Sequence, residues 1–506
     1  MEVLMENFVE QELVSIDNVQ MSIEQQIPLP ENAKKLIGVT SQLLGQKAQV
    51  VGNEIVLTGN FNVRLIFINE FEKFDSQDFN ENFERKIAIK IDGNNNQIFA
   101  AANLINSRWH LQDNQVFLEN QVMVDVQTVK SKDMQVVSDL IGDVEVRKTE
   151  HQILTFNSVL QDKFEIIENI ELDSVCEGVL GVDVNPDLKD ITLNNDKVNL
   201  KGTIAVNLLG IKTIDNNSVP YNTAHEIDFL KSFAVNGVTS EDLVYGTVSV
   251  DSVEMHVENN QQGPILALKL TLDFNGCVYC NHKFSSVVDA ISFDKELVFQ
   301  TTQLNYVEAL PQVNTTVDIE NNITLAPNTP YISHVLAVDG ARVNDLHVTA
   351  ADGKALIEGI LSMNLLLENE EHIITGERYE IPFQTHVRID SLDREYTLHA
   401  LVVPLSVNAK ARRGTELLID AQLAVVIQAS TQKQITIVNN LEEGATKTDD
   451  GSAIRIYIIG EKENLWDLAK RTNLSCASLL QQNPNLENGC TPGERIVVYR
   501  HENVNL

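Results

Sequence analysis

The sequence predicts a mainly β protein made of three tandem antiparallel repeats, each a β-sandwich or barrel-like domain, followed by a small β-α-α-β domain. One segment occurs three times, as LTGNFNVRLIF, LKGTIAVNLLG and IEGILSMNLLL. Apolar residues alternate after the glycine of each copy, which is the period of a strand with one buried face. Gly59, Gly202 and Gly359 stand roughly 150 residues apart, which is the size of a whole domain and exceeds that of a solenoid repeat.

The segments after each glycine strand complete the repeat. An acidic, aromatic-bearing stretch comes first, with Pro382-Phe383 in the third copy, Asp228-Phe229 in the second and no clear counterpart in the first. Two long alternating runs follow, and polar turns join them at residues 112–115, 258–263 and 411–415. Six or seven strands per copy, with hardly any helical period, favour antiparallel sandwiches or barrels.

These patterns also predict the domain boundaries. The first repeat, with an N-terminal arm, covers residues 1–149, the second covers 150–314 and the third covers 315–440. Residues 441–453 are small, acidic and glycine-bearing, which is typical of a flexible linker. The last domain covers 454–500.

The recurring glycine makes a local prediction. Glycine inside a strand costs up to about 1 kcal/mol relative to alanine. Three recurrences at one place therefore predict a β-bulge or a close approach to the backbone at Gly59, Gly202 and Gly359.

Charge and composition limit the function classes. The 506 residues include 72 acidic and 38 basic side chains and carry a net charge of −34, which argues against nucleic acid or an anionic membrane as a partner. The start of the chain has no basic leader, and no long apolar segment occurs, so we expect a cytosolic protein without membrane insertion. Cys277 and Cys280 have the spacing of a metal pair, but no second pair accompanies them. With no catalytic motif either, we expect no metal, no cofactor and no enzyme.

The C-terminal segment has a different pattern. A short strand starts at Ile454, and Asn464 can cap a helix with Asp467 in a variant capping box. Ser475 can cap a second helix, which ends before Pro484. A last strand covers Arg495 to Tyr499.

This order and its motifs resemble the LysM domain. The matching motifs are Tyr457, Leu465-Trp466-Asp467-Leu468-Ala469, Leu479-Leu480, Asn483-Pro484-Asn485-Leu486 and Pro492-Gly493. LysM domains bind N-acetylglucosamine polymers such as peptidoglycan or chitin in a groove between two loops. The resemblance implies that the groove here is formed by Gly460, Glu463, Asn464, Leu465, Trp466, Asn483, Pro484, Asn485 and Leu486. Lys462-Glu463 stands where the family usually has Gly-Asp.

Three β repeats followed by one LysM domain resemble the SPOCS-domain proteins of spore-forming bacteria, a family of spore coat morphogenetic proteins. The resemblance implies a scaffold in the mother-cell cytoplasm, at the forespore surface. It also implies a coat morphogenetic ATPase (SpoIVA-like) as the partner. We further expect the β repeats to present surfaces either for self-assembly into a homo-oligomer or for coat proteins.

Two further readings compete with this scaffold. The LysM groove could grip a glycan while the β repeats act as a spacer, and a wall hydrolase would need a catalytic constellation that the sequence does not offer. Lys462, Lys470 and Arg471 make the last domain locally basic within an acidic chain. Together with Trp466, they favour a protein-docking surface over a sugar groove.

Overall fold

The computed structural model describes residues 1–51, 54–88, 96–214, 217–260, 263–327, 329–448 and 454–499. These residues form twenty strands and two short α-helices, so the prediction of a mainly β fold is confirmed. The search for a helix long and apolar enough to cross a membrane finds none in these ranges.

The first eighteen strands fall into three sets of six, which we call units 1, 2 and 3. Unit 1 consists of β1 (Glu2–Pro28), β2 (Ala33–Val51), β3 (Glu54–Asn69), β4 (Phe74–Ala88), β5 (Asn96–Gln112) and β6 (Gln115–Ile141). Unit 2 consists of β7 (Val144–Glu171), β8 (Cys176–Asn194), β9 (Lys197–Ile214), β10 (Asn217–Ala234), β11 (Leu243–Asn260) and β12 (Gly263–Ser292). Unit 3 consists of β13 (Lys295–Thr324), β14 (Ile332–Ala351), β15 (Lys354–Asn369), β16 (Ile374–Arg388), β17 (Thr397–Arg412) and β18 (Glu416–Thr446).

All three units have the same strand order. The second, third and fourth strands form an antiparallel meander, and the first, sixth and fifth strands pair in that order in another sheet. The alternating apolar residues of both sheets form one core per unit, centred on Phe61 in unit 1, Ile204 in unit 2 and Leu361 in unit 3. A single residue pair, Val307 with Leu154, joins the second sheets of units 2 and 3.

The predicted boundaries differ from the strand limits. Residues 149 and 150 both lie in β7, and residues 314 and 315 both lie in β13. The predicted linker begins inside β18, because the strand continues to Thr446 and pairs with β13 as far as Lys295. The end of that linker, 449–453, and the last predicted residue of the final domain, 500, lie outside the described residues.

Each recurring glycine has a bulge on one side and an aromatic ring on the other, as the pattern predicts. Register shifts in β2, β8 and β14 fall opposite the glycines. On the next strand, Gly59 pairs with Phe83, Gly202 with Phe229 and Gly359 with Phe383. A ring that covers a strand glycine compensates for the missing side chain. Phe83 is therefore the counterpart that sequence inspection did not find in the first copy.

The three units close into a ring. The fourth strand of each unit contacts the second strand of the next, so that β4 meets β8, β10 meets β14 and β16 meets β2. A small apolar cluster drawn from all three units fills the centre and includes Ile66, Leu209 and Leu366, which follow the three glycines at the same distance along their strands. The ring therefore has approximate threefold symmetry within one chain.

Arg64 of β3 lies at the centre of this ring. Its guanidinium donates to Asp183 Oδ1 of unit 2 at 3.1 Å, to Asp339 Oδ1 of unit 3 at 3.3 Å and to the Val182 carbonyl at 2.8 Å. A Cβ on Gly181 would lie 2.2 Å from Arg64 Cζ, so only glycine leaves room there. Burial alone would lower the pKa of Arg64, but the nearby carboxylates, Asp183 first, outweigh it and keep the pKa raised.

The cluster carries excess negative charge. Asp78 Oδ1 lies 3.4 Å from Arg64 Nε, so three carboxylates surround one guanidinium. Burial, reinforced by the charge of Asp183, raises the pKa of Asp339 to about 7, although Arg64 opposes that shift. Arg64, together with the nearby Arg342 of unit 3, thus compensates acidic groups from all three units.

Beyond the ring, the long first and sixth strands continue as three two-stranded ribbons that pack together into a stalk. Each of the six strands contributes one buried residue to its core, and these are Phe8, Val136, Ile153, Phe284, Leu304 and Ile437. A second layer nearer the tip contains Leu140, Ala290 and Leu441. At about 3.3 Å per residue, residues 295–309 make the stalk roughly 45–50 Å long.

We expect Gly202→Ala to destabilise the protein, because the new Cβ would lie 2.3 Å from the Asp187 carbonyl oxygen and 2.5 Å from Phe229 Cζ. Overpacking of this kind typically costs about 1–3 kcal/mol. Thermal melting followed by circular dichroism measures the change. Gly178→Ala is the control, since its Cβ would meet nothing within 4 Å, and equal melting temperatures for both variants would contradict the explanation.

We expect Arg64→Met to cost about 3–5 kcal/mol, because removing one partner of a buried ion pair leaves the other charges uncompensated. Denaturant unfolding measures this free energy. Arg388→Met is the control, because Arg388 and Asp390 form an ion pair in which both side chains are 86% exposed and such pairs contribute little. An Arg64 variant as stable as the control would refute the central role of this residue.

Candidate functional site

The C-terminal module covers residues 454–499. It consists of β19 (Ile454–Ile458), α1 (Leu465–Thr472), α2 (Cys476–Gln482), a 3-10 helix (Pro484–Asn488) and β20 (Arg495–Tyr499). The Asn464 side chain accepts from Asp467 N, and the Asp467 carboxylate accepts from Asn464 N, both at 3.1 Å. This reciprocal capping box fixes the start of α1.

The loop before α1 contains one non-glycine residue in the left-handed conformation. Lys462 has a φ of 66°, a left-handed conformation that favours glycine. Glu463 accepts from Gly460 N at 2.7 Å and pairs with Arg471 at 3.1 Å. Glu463 and Arg471 therefore hold the loop onto α1, while Lys462 is exposed.

Two residues of the second predicted loop make contacts inside the module. Asn483 is buried, and its side chain donates to the Val497 carbonyl and accepts from Val497 N, both at 2.8 Å. Leu486 is buried in the module core with Leu468 and Leu479. Of the predicted residues in this loop, Pro484 and Asn485 remain exposed.

The groove between the two loops is acidic. Burial raises the pKa of the Cys490 thiol, and the nearby carboxylates of Glu463, Glu494 and Asp467 raise it further. Glu494 also accepts from the Asn485 amide. Of the basic residues expected to mark a docking surface, Arg471 pairs with Glu463 and Lys470 contacts the stalk, whereas Lys462 is exposed.

The module packs on the end of the stalk. Asp289 of β12 accepts from the Trp466 indole at 2.8 Å and from Lys470 Nζ at 2.6 Å. Trp466 is half-buried there, so the side chain expected to anchor a partner contacts the protein's own stalk. Ile291 of β12 extends the apolar core of the module.

One surface of the module was missed in the sequence. Ile454, Ile456 and Ile458 of β19 are 60%, 65% and 57% exposed, and Tyr499 on the paired strand is 47% exposed. The opposite face of this two-stranded sheet buries Ile496 and Val498. The alternation in IRIYI was the available signal. Isoleucine at every second position places three isoleucines on one face of the strand, and the partner strand has apolar residues on the other face. A two-stranded sheet with two apolar faces that covers only one of them must expose the other. We call these four residues the isoleucine face.

A cavity of about 1030 Å³ lies between the three units. Charges of both signs line it, among them Arg342, Lys47, Asp273 and Asp345. Burial lowers the pKa of Arg342 to about 10, and this residue donates to the Ser41 carbonyl. Within the described ranges, no group of three His, Cys, Asp or Glu side chains could hold a metal ion.

The cysteines of the CVYC segment do not form a pair. Cys277 is buried and Cys280 is partly buried, and both are free thiols. Burial raises the pKa of Cys277 to about 12, so this thiol stays protonated and unreactive at neutral pH.

Comparisons with known proteins do not add a family to these observations. No protein-family model matches the chain, and no curated protein or solved structure matches it either. The function is therefore argued from the residues and their geometry.

Proposed function

We propose that this chain is a non-enzymatic scaffold in endospore coat assembly, a spore coat morphogenetic protein similar to SipL. The three β units are SPOCS domains, and the module is a LysM domain that docks a coat morphogenetic ATPase (SpoIVA-like). The protein acts in the mother-cell cytoplasm at the forespore surface, where the units present surfaces for self-assembly or for coat proteins.

The isoleucine face is the observation that carries this proposal. Contiguous apolar side chains on a small, otherwise polar domain are typical of a protein-docking surface. The face lies on the module, which packs on the end of the stalk. Arg495 pairs with Ile458 and is exposed beside it, so the complementary partner surface is apolar with a carboxylate at its border.

The predicted sugar groove supports the alternative less well. Asn483 and Leu486 are used inside the module, and carboxylates surround Cys490. Glycan sites usually offer aromatic faces and free hydrogen-bonding groups. Asn483 and Leu486 are buried and cannot supply such groups to a sugar. The groove residues Asn464, Pro484 and Asn485 remain exposed, so binding of N-acetylglucosamine oligomers is the competing outcome of the test.

We expect Ile456→Asp in the full chain to weaken binding to the purified coat ATPase by roughly tenfold or more, because it places a charge in the centre of the docking face. Titration calorimetry measures the affinity. Ile167→Asp is the matched control, since Ile167 is a 69% exposed isoleucine on unit 2, and it should bind like the unaltered chain.

The same calorimetry with chitin oligomers tests the glycan alternative. Tight binding of chitin oligomers by the unaltered chain, together with no measurable binding of the ATPase, would contradict the docking proposal and support glycan recognition. Equal ATPase affinities for the Ile456 and Ile167 variants would exclude the isoleucine face as the docking surface.

A further inference from the structure

The module has a second protein-contacting surface, which lies on α1 and at the start of α2. Trp466 and Lys470 both donate to Asp289, and Asn473 Nδ2 donates to the Phe293 carbonyl at 2.7 Å. The backbone N–H of Cys476 donates to Glu145 Oε2 at 2.7 Å. We call these four module residues the latch face.

The chemistry of the latch face is specific. It offers an ammonium, an indole N–H, an amide N–H and a backbone N–H as donors, and the Asn473 amide oxygen also accepts from Lys447 Nζ at 2.8 Å. The stalk supplies two carboxylates and a carbonyl as acceptors, with Ile291 and Phe293 packed beside them. A surface made of donors around an apolar centre fits an acidic residue followed by apolar residues on an extended strand.

The stalk could have offered two other positions to the module. Asp139 of unit 1 and Asn440 of unit 3 correspond to Asp289, because each accepts from the backbone N–H of the next residue, as Asp289 does. Asp139 pairs with Lys148 at 2.6 Å, and position 440 carries no charge. Of the two carboxylates, the module contacts Asp289, for which no ion-pair partner lies among the described residues of the stalk.

From this geometry we propose that the latch face is a binding surface for an acidic, apolar strand of another protein, and that residues 289–293 occupy it in cis. Such a segment would compete with residues 289–293 for the latch face. The proposal concerns a different face from the isoleucine face and does not depend on the identity of the coat partner.

Hydrogen exchange of the Trp466 indole proton tests the cis contact. The sequence has two tryptophans, so Trp109→Phe leaves Trp466 as the single indole signal in the full chain, observed by NMR with nitrogen-labelled tryptophan. In this background, Asp289→Asn should accelerate the exchange by roughly tenfold to a hundredfold, because a hydrogen bond to a charged group is lost. At the corresponding position of unit 3, the Asn440 amide oxygen accepts from Leu441 N. Asparagine at position 289 should therefore keep the hydrogen bond from Ala290 N.

Asp139→Asn is the matched control and should leave the exchange rate unchanged. Lys470→Met removes the other donor to Asp289 and changes the module instead of the stalk. It should also accelerate the exchange of the Trp466 indole proton, while the circular dichroism spectrum remains that of the folded protein. Equal exchange rates in the Asp289 and Asp139 variants would overturn the cis contact.

A peptide with the sequence of residues 286–294, SVVDAISFD, tests binding in trans. Added to the Trp109→Phe, Asp289→Asn chain, it should slow the indole exchange again, whereas the same peptide with asparagine at position 289 should not. No protection by the aspartate peptide, up to millimolar concentration, would overturn the proposal that the latch face binds a separate strand.

Discussion

The buried guanidinium of Arg64 is the contact on which the ring of three units depends. Its ion-pair partners come from β4, β8 and β14, so one side chain joins all three units. A buried cation is favourable only where its charge is compensated and its donors are used. The positions that correspond to Arg64 are Asn207 and Asn364, and each amide donates to a carbonyl of a neighbouring unit, Leu405 and Val39. Structurally equivalent positions thus make a charged contact in unit 1 and neutral contacts in units 2 and 3.

Much of the architecture could be predicted from the sequence, because strand alternation and turn residues are local signals. The glycine strands, the hairpin turns and the caps at Asn464 and Ser475 all lie where their patterns place them. Phe83 was not found, because its role as the ring over Gly59 depends on strand register, which the neighbouring polar residues of β4 do not reveal. The predicted boundaries fall inside β7 and β13, because the long strands pass without interruption from sandwich to stalk and the units change only at the bends at 142–143 and 293–294.

Several residues of the candidate site could be predicted from the sequence, but the contacts that they make could not. Trp466, Lys470 and Arg471 were recognised as docking residues from charge and residue type, and all three make contacts within this chain. Asp289 had no sequence signal, since one aspartate among 72 acidic residues is not distinctive. The isoleucine face was visible as an alternation, but which side of a two-stranded sheet is covered depends on helices that only the folded module brings into place.

The threefold body carries a single module. A ring assembled from three separate chains would carry three modules, and its attachment to a surface would gain from multivalency, since one bound module holds the others at high effective concentration. Fusion of the three units into one chain makes the body monovalent, and its assembly is independent of protein concentration. In the proposed scaffold, an attachment made through the module alone has the lifetime of one contact, so an incorrectly placed molecule can leave and rebind. Persistent anchoring would then come from contacts between neighbouring molecules.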